Sequence, residues 1–381
     1  MKNGKVIRVI AGVLVLSLLA AGCEKTKQMD THKEKETIKA DDEKENKNAE
    51  EQEAENTNII TLTSEIISLE NGFAAVEYVG DYGFNQFLDQ GGASSDAEVM
   101  DYLTNHLAIE MSGLEYSGDV FGCSTLSVKS PEGNYLFGRN FDWNPCEALV
   151  VSSRPEESYA SLSTVNMDFI VAGGGMDLEK ISDQMKTLAA LYAPLDGMNE
   201  KGLCVSVNMI QDSATIEQDS DKPDITTTTA VRLLLNQAAD VKEALALLKQ
   251  YDLHASMGMM VHFALADAGG RSVVVEYIGN ERVVIDTPIV TNFYLVPGEK
   301  NGIGTEQSHT RYEILTERLE ENKMMDMQDV RDALDSVSKG NFGEFESTEW
   351  SIVYNQGNGI VQYYHRENYG KAYSFQVPAK G

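Results

Sequence analysis

Three residues in the middle of the chain have the side chains of a nucleophilic site: Cys123, Arg139 and Asp142. The thiolate is the reactive form of cysteine, and a guanidinium close to the thiol favours that form. A carboxylate can accept a hydrogen bond from a thiol or from an ammonium group. The three side chains could therefore activate Cys123, if the fold brings them together.

A predicted β-hairpin brings them together. The segments 123–128 and 134–138 are typical of strands, and the Ser-Pro-Glu-Gly sequence between them favours a turn. The returning strand would carry Arg139 and Asp142 back beside Cys123, in a register that the sequence leaves open. A free cysteine in a strand is also an ordinary buried side chain, and on spacing alone this alternative stays open.

Along the rest of the folded part, strands are grouped with strands and helices with helices. Hydrophobic periodicity predicts helices over 97–107, 178–191, 228–250 (a pair broken near Asp240), 310–321 and 327–338. Strands are predicted over 203–209, 261–292, 350–354, 360–365 and 373–377, and strands or a strand–helix pair over 59–67 and 72–78. This grouping favours an α+β fold of antiparallel sheets covered by helices. The stretches 144–164 and 211–224 are expected to be loops that shape a pocket.

The composition argues against several classes of protein. The 381 residues include 60 acidic and 31 basic side chains, which give a formal net charge of −29. Such a surface would repel a phosphate polymer, so no nucleic-acid partner is expected. The four cysteines have no CxxC or Cys/His zinc spacing, and the six histidines form no triad-like pattern. No metal site and no organic cofactor is predicted.

The N-terminal segment has the pattern of an export signal with a lipid attachment site. Basic residues within 2–8 precede the apolar stretch 9–21, and Ala-Gly precedes Cys23. We expect residues 1–22 to be removed as a bacterial lipoprotein signal peptide and Cys23 to carry the lipid. A plain secretory signal with an incidental cysteine is the alternative. The charged run 23–57 is expected to be a disordered tether, which would hold the protein on the outer side of the bacterial cell membrane.

Several motifs from Cys123 onwards resemble those of one enzyme family. Cys-Ser-Thr at 123–125, followed by Gly-Arg-Asn-Phe-Asp-Trp at 138–143, is similar to the signature of the choloylglycine hydrolase, penicillin V acylase and linear amide C–N hydrolase family of N-terminal nucleophile (Ntn) hydrolases. Shorter blocks are similar to its later motifs: Asp-Gly-Met-Asn-Glu-Lys-Gly-Leu at 196–203, leading to Asn208, Val-Thr-Asn at 290–292, and Ser-His-Thr-Arg-Tyr at 308–312. The resemblance implies a four-layer αββα sandwich, with residues 123–381 as the catalytic domain.

The resemblance also implies a role for the hairpin residues. Cys123 would be the nucleophile and, once it is the N-terminal residue, its own α-amine would be the general base. An α-amino pKa of about 8 suits proton transfer at neutral pH. Arg139 would support the thiolate or the protonation state of the amine, and Asp142 would hold the amine.

Three later residues would complete the site. Asn208 and Asn292, with a backbone N–H, would form the oxyanion hole, and Arg311 would organise the site electrostatically. Two simpler alternatives remain: Asn208 could merely end its strand, and Arg311 could pair with glutamates on its own helix surface.

The residues before Cys123 make the chain similar to the proenzyme branch of these enzymes, the isopenicillin N acyltransferase and acid-ceramidase-like amidases. Residues 58–122 would be a prosegment, separated by self-cleavage at the Gly122–Cys123 bond and retained as a small subunit. Gly122 suits such a cut, because glycine tolerates the strained backbone that attack on its carbonyl requires.

The expected function is therefore that of a membrane-tethered amidase outside the cytoplasm, which splits a small amphipathic N-acyl amide into an acid and an amine. An acyltransferase that uses the same site is an alternative, and so is a non-catalytic lipoprotein that binds ligands on an inherited Ntn fold. The sequence does not choose between bile salts, penicillin V, acyl-homoserine lactones, fatty-acid amides and peptides as substrates.

Overall fold

The computed structural model describes residues 59–107, 122–172, 181–338 and 347–379. All of them belong to one of the two units into which the chain divides, residues 56–381. The expectations for the signal peptide, for the lipid site at Cys23 and for the tether lie outside the described residues. Part of the expected prosegment, residues 108–121, lies outside them too.

Eight helices and 17 strands occur in the described residues. The helices are α1 (Phe84–Asp89), α2 (Asp96–Leu107), α3 (Met167–Ala172), α4 (Asp183–Leu191), α5 (Thr227–Gln237), α6 (Val241–Leu247), α7 (Glu306–Glu321) and α8 (Met327–Asp335). The strands are β1 (Ile67–Glu70), β2 (Phe73–Val79), β3 (Gly122–Lys129), β4 (Tyr135–Trp143), β5 (Ala148–Arg154), β6 (Ser161–Asn166), β7 (Asp196–Asn199), β8 (Cys204–Met209), β9 (Asp224–Thr226), β10 (Asp252–His254), β11 (Val261–Ala266), β12 (Ser272–Ile278), β13 (Glu281–Asp286), β14 (Ile289–Val290), β15 (Ser347–Asn355), β16 (Ile360–His365) and β17 (Tyr373–Gln376).

Two sheets carry most of these strands. One has nine strands in the order β1-β2-β5-β6-β7-β8-β11-β12-β13, and the other has six in the order β14-β3-β4-β15-β16-β17. Neighbouring strands within both sheets are antiparallel except β2 and β5, which are parallel. Two parallel strands that are neighbours in a sheet need a long connecting segment, or crossover, between the end of the first and the start of the second. Here the crossover contains α1, α2 and the β3–β4 hairpin of the other sheet.

The two sheets pack face to face, and helices cover both outer faces. Aromatic and aliphatic side chains of both sheets, such as Phe73, Phe141, Cys204 and Trp350, fill the layer between them. Helices α4 and α5 pack on the nine-stranded sheet, and α7 and α8 pack on the six-stranded one. The predicted αββα sandwich is therefore confirmed.

The glycine of the Gly-Arg-Asn-Phe-Asp-Trp motif has a packing role in this layering. A Cβ atom at Gly138 would lie 2.7 Å from Cγ1 of Val330 on α8. Only a residue without a side chain lets this helix approach the sheet so closely, because real Cβ contacts are not that short. The motif thus fixes the position of a covering helix as well as that of the arginine next to it.

Several element boundaries differ from the predictions. The stretch 144–164 is not a loop, because it contains β5 and most of β6. Both strands are buried on both faces, so their sequence of serines and other small residues shows no alternation of apolar and polar positions. Helix α7 begins one turn before the predicted start at Thr310, since Thr305 caps it by accepting a hydrogen bond from the backbone N–H of Ser308.

Residues 59–107 are integrated into the sandwich. β2 pairs with β5 over its full length, from Phe73 with Ala148 to Val79 with Arg154. Phe73, Ala75 and Val76 are fully buried. α2 follows a cap at Ser95, whose hydroxyl accepts a hydrogen bond from the backbone N–H of Glu98.

Candidate active site

The register of the β3–β4 hairpin places Cys123 and Arg139 on one face of the sheet and Asp142 on the other. Cys123 lies opposite Phe141, and Thr125 lies opposite Arg139. Side chains alternate along a strand, so Arg139 shares the face of Cys123 that is turned towards the nine-stranded sheet. Asp142, opposite Gly122, is turned towards the covering helices. The hairpin brings all three residues together as predicted, but from two sides.

Asn292 holds the backbone nitrogen of Cys123. The Cys123 N–H donates to Oδ1 of Asn292 over 2.7 Å. Nη2 of Arg311 donates to the same oxygen over 2.8 Å, and Nδ2 of Asn292 donates to the carbonyl of Met209 over 2.7 Å. Two pure donors on one side and a pure acceptor on the other fix the orientation of the amide. Asn292 therefore faces the nucleophile's nitrogen with its oxygen, and its role in an oxyanion hole stays a prediction that this hydrogen bonding does not favour.

Arg311 of α7 links the second face of the hairpin to Cys123. Its Nη1 donates to the Cys123 carbonyl over 2.6 Å and to Oγ of Ser124 over 2.8 Å. The same Nη1 lies 3.7 Å from Oδ2 of Asp142, whose Oδ1 accepts a hydrogen bond from Thr348. Arg311 and Asp142 are both completely buried. The alternative of a surface ion pair along the arginine's own helix is therefore wrong.

Arg139 is held from the opposite sheet. Its Nε donates to Oδ2 of Asp196 over 2.5 Å, and its Nη1 donates to Ser206 and to Oδ1 of Asn208, the latter over 3.0 Å. Arg139 and Asp196 are both fully buried, so the ion pair fixes the guanidinium between the two sheets. Nη2 of Arg139 has no hydrogen-bond partner among the described residues, which leaves a donor close to Cys123.

Asp196 is a site residue to which the sequence analysis assigned no role. It accepts hydrogen bonds from Nε1 of Trp350 over 3.0 Å and from the Tyr354 hydroxyl over 3.2 Å, in addition to Arg139. It opens the Asp-Gly-Met-Asn block, which resembles a family motif. Asp196 is a single acidic residue at the start of an apolar strand. Because a buried carboxylate needs a cationic partner, this position in the sequence could have indicated a site residue.

Asn208 does not merely end its strand. Its Oδ1 accepts from Arg139 and from Ser206, so its amide group is oriented with Nδ2 on the other side. Nδ2 lies 3.5 Å from the carbonyl of Val290, a long contact that leaves donor capacity. The expected oxyanion role of Asn208 stays a prediction, with an orientation that favours it.

Burial is the main influence on the pKa values of Cys123 and Asp142. It raises the pKa of the Cys123 thiol, and the nearby Arg139 and Arg311 only partly offset this. Burial also raises the pKa of Asp142 to about 6, against the opposing effects of Arg311 and Thr348. In the uncut chain Cys123 is therefore a neutral thiol that needs a base.

Gly122 continues β3 without distortion. It pairs with Asp142 in the regular ladder, and it is not among the glycines with a positive φ. The expected backbone strain at the Gly122–Cys123 junction is therefore absent from the conformation of this residue. The carbonyl of Gly122 is nevertheless the group adjacent to the nitrogen that Asn292 holds.

A cavity of about 40 Å³ lies beside Cys123. Its lining is mostly aromatic and aliphatic and includes Phe141, Trp143, Val207 and Met209. An apolar cavity with a few polar groups at one end is the usual form of a small-molecule site. The thiol thus lies where a bound carbonyl compound could reach it.

The other described cysteines lie away from the cavity. Cys204 is buried between the sheets, and Cys146 is buried near Glu349; both are free thiols. Within the described ranges, no group of three or more His, Cys, Asp or Glu side chains is arranged to hold a metal ion. A search of the described helices finds none that is long and apolar enough to span a membrane.

Comparison with known proteins identifies the region around this site. Residues 123–293 match the model of the linear amide C–N hydrolases, choloylglycine hydrolase family. Over these residues the chain is similar to the choloylglycine hydrolase family. The match begins at Cys123, and it contains Arg139, Asp142, Asn208 and Asn292.

The individual proteins that this chain resembles are distant from it. An uncharacterized protein of Paramecium bursaria Chlorella virus 1 is 35% identical over 103 residues, which are 25% of this chain and 37% of that protein. The chain thus spans little more than a third of that relative's length. A mutant of conjugated bile acid hydrolase from Clostridium perfringens has a similar fold, with a TM-score of 0.50 at 17% identity over 67% of this chain and 92% of the other. Penicillin V acylase from Agrobacterium tumefaciens gives a TM-score of 0.41 at 16% identity, over 64% of this chain and 83% of the other.

Proposed function

We propose that this protein is an amidase that cleaves the linear, non-peptide C–N bond of an N-acyl compound, with Cys123 as its N-terminal nucleophile. One observation carries the proposal. The backbone nitrogen of Cys123 is held by Asn292 at 2.7 Å within a buried cluster that also contains Arg311, Asp142 and Arg139. A side chain from a distant part of the chain thus fixes the position of this nitrogen beside the charged groups.

The reaction follows from the groups around the sulfur. After the Gly122–Cys123 bond is cut, the nitrogen at this position is a free α-amine. It takes the thiol proton as Sγ attacks the acyl carbonyl, and it returns a proton to the leaving amine when the C–N bond breaks. Water then hydrolyses the acyl-cysteine to the free acid. The amine is a suitable base because its ordinary pKa, about 8, is close to neutral pH.

The surrounding charges support each stage. Nη2 of Arg139, which has no hydrogen-bond partner in the part of the chain that the structure describes, would stabilise a thiolate. Nδ2 of Asn208 is available to the oxyanion of the tetrahedral intermediate. Arg311 holds the Cys123 carbonyl and the acceptor Asn292 in one hydrogen-bonded unit, which fixes the amine against the sulfur.

Maturation would use the same thiol. Sγ of Cys123 attacks the Gly122 carbonyl, the peptide C–N bond breaks as the nitrogen takes a proton, and a thioester joins Gly122 to the sulfur. Water hydrolyses the thioester, which gives a carboxylate on Gly122 and a free α-amine on Cys123. No cofactor is needed for either step.

The protein would act outside the cytoplasm. The basic, apolar and Ala-Gly-Cys pattern of residues 2–23 supports lipid attachment at Cys23 after removal of residues 1–22. Metabolic labelling with a radioactive fatty acid would test this, because a Cys23→Ala variant should lose both the label and membrane association.

Intact mass and N-terminal sequencing of protein made without its signal peptide test the nucleophile. We expect a fragment of 259 residues that begins at Cys123 and ends at Gly381, and a Cys123→Ala variant should stay uncut and inactive. Cys204→Ala, which removes a buried thiol away from the site, is the matched control. A wild-type chain that hydrolyses N-acyl amides without being cut would overturn the N-terminal amine as base.

A further inference from the structure

A buried histidine lies beside the asparagines of the site and takes no part in the proposed reaction. His262 of β11 is completely buried, and it lies opposite Asn208 of β8 in the antiparallel ladder. Residues directly opposite each other in such a ladder have their side chains on the same face of the sheet. The side chain of His262 is therefore turned, like that of Asn208, towards the layer that contains Cys123.

Both ring nitrogens of His262 face oxygen atoms. Nε2 lies 2.7 Å from the carbonyl oxygen of Thr291, and Nδ1 lies 3.2 Å from Oε1 of Glu276. A carbonyl oxygen only accepts, so Nε2 carries a hydrogen and donates to Thr291. Because two unprotonated atoms would repel each other, a second proton lies between Nδ1 and the Glu276 carboxyl group. The buried pair is thus neutral as a whole, and its hydrogen bonds fix the plane of the imidazole.

Glu276 of β12 is completely buried as well, and it holds the segment that follows Asn292. Its Oε1 accepts from the backbone N–H of Leu295 over 2.8 Å, and its Oε2 accepts from that of Val296 over 2.9 Å. Both carboxyl oxygens therefore have fixed donors, as a buried carboxyl group requires. The buried pair thus holds the chain on both sides of Asn292, at Thr291 before it and at these two residues after it.

The carbonyl that His262 holds belongs to the backbone of Asn292. The C=O of Thr291 and the backbone nitrogen of Asn292 are parts of one planar peptide unit. A hydrogen bond that fixes this carbonyl therefore fixes the backbone from which the Asn292 side chain extends. Oδ1 of that side chain accepts from the backbone N–H of Cys123 over 2.7 Å. A short chain of contacts thus leads from the buried imidazole to the nitrogen of the nucleophile.

We propose that His262 is a positioning residue of this site, which acts on the nitrogen of Cys123 through the orientation of Asn292. Glu276 in turn orients the imidazole for its hydrogen bond to Thr291. His262 donates to the backbone, so its effect reaches the nucleophile only through Asn292. The consequence for catalysis rests on the proposed amidase function, whereas the effect on the position of the nitrogen does not.

Two polar variants of different reach test this role. The amide nitrogen of His262→Asn extends as far as Nδ1 of the imidazole, so it can still donate to Glu276 but does not reach Thr291. The longer amide of His262→Gln extends as far as Nε2 and can donate to the Thr291 carbonyl. His262→Asn should therefore loosen Asn292, and His262→Gln should keep it in place.

Hydrogen exchange of the amide at position 123 measures the effect without any catalysis. All chains carry Cys123→Ala, which removes the thiol needed for cutting and keeps the N–H that Asn292 holds. NMR should show exchange at position 123 about 10-fold faster in His262→Asn, the worth of one hydrogen bond, and nearly unchanged in His262→Gln. Tyr82→Phe, which loses a buried hydrogen bond to Asn236, is the control for a general loss of stability and should change this rate much less.

Steady-state kinetics of the cut enzyme on an acyl 4-nitroanilide separate this inference from the proposed function. His262→Asn should lower kcat about 10-fold and leave KM within about twofold, and His262→Gln should restore most of kcat. Faster exchange at position 123 in a protein that hydrolyses no acyl amide supports the positioning role and counts against the amidase.

Three results would overturn the role of His262. The first is exchange at position 123 that rises equally in His262→Asn and Tyr82→Phe, and the second is hydrolysis with an unchanged kcat in His262→Asn. The third is exchange in His262→Gln that is about 10-fold faster than in the parent chain, which decides the matter even where His262→Asn does not fold.

Discussion

The backbone nitrogen of Cys123 lies 2.7 Å from the side-chain oxygen of Asn292, although the two residues are 169 positions apart in the chain. The same oxygen accepts from Arg311, and the amide nitrogen of Asn292 is engaged by the Met209 carbonyl. All the polar atoms of the Asn292 side chain are therefore used to hold one orientation. If the chain is cut before Cys123, as proposed, this arrangement already holds the position of the α-amine in the uncut chain.

Replacing Asn292 by alanine should slow the enzyme without unfolding it. Hydrogen bonds to charged groups are worth about 1.5–3 kcal/mol, so kcat/KM of cut Asn292→Ala protein should fall about 10- to 100-fold. Asn105→Ala, on the exposed surface of α2, should leave it unchanged. Steady-state kinetics on an N-acyl amide give the comparison, and an Asn292→Ala enzyme with wild-type kcat/KM would show that the contact has no part in the reaction.

Asp142 should make the stability of the protein depend on pH. Its pKa in the folded state, about 6, is above the ordinary value of 3.8, so the folded state holds the proton more tightly than the unfolded state. This contribution to the free energy of unfolding is complete below about pH 4 and is lost as pH rises to about 6, by up to about 3 kcal/mol.

An Asp142→Asn variant lacks this titration. Its stability relative to wild type should therefore improve between about pH 4 and about pH 6 and then stay level. Urea unfolding curves across this range measure the difference, with the exposed Asp101→Asn as control. A constant difference between Asp142→Asn and wild type would mean that the carboxyl titrates as it does in water.

The buried pair of Arg139 and Asp196 should be far more sensitive to substitution than an exposed pair. Asp196→Ala leaves the guanidinium buried without its counter-ion, and we expect a loss of about 3–5 kcal/mol in the free energy of unfolding. Glu77→Ala breaks the partly exposed contact with Arg154 and should cost less than about 1 kcal/mol. Equal losses in chemical denaturation would contradict the view that Asp196 anchors the site.

The fragment that precedes Cys123 should stay bound after cleavage. β2 pairs with β5 along seven residues and contributes Phe73, Ala75 and Val76 to the buried core. This association is mostly apolar and backbone hydrogen bonding, so it should resist high salt, which screens only charges. Size-exclusion chromatography should give one peak with both fragments in 1 M salt and separate peaks only in denaturing urea. Separation in salt alone would show that the fragment is not held by the sheet.

The hairpin and the antiparallel meanders were predictable because their signals are local. The turn sequence before Asn134 and the residue pattern of the strands each act within a few positions. The strands in 148–166 were missed because they are buried on both faces and show no alternation, and such a run cannot be distinguished from other buried segments by periodicity. The start of α7 was missed by a turn because Thr305, which caps it, lies before the apolar pattern begins.

The sequence by itself determined which side chains could react. Cysteine, arginine and aspartate at 123, 139 and 142 were identified because hairpin pairing depends on chain separation and turn residues. Only the tertiary structure decided their surroundings. The face on which each lies depends on a register in which a shift by one residue reverses every side chain. The contacts to Asp196, Asn292 and Arg311 join elements far apart in the chain, so they depend on how the layers pack.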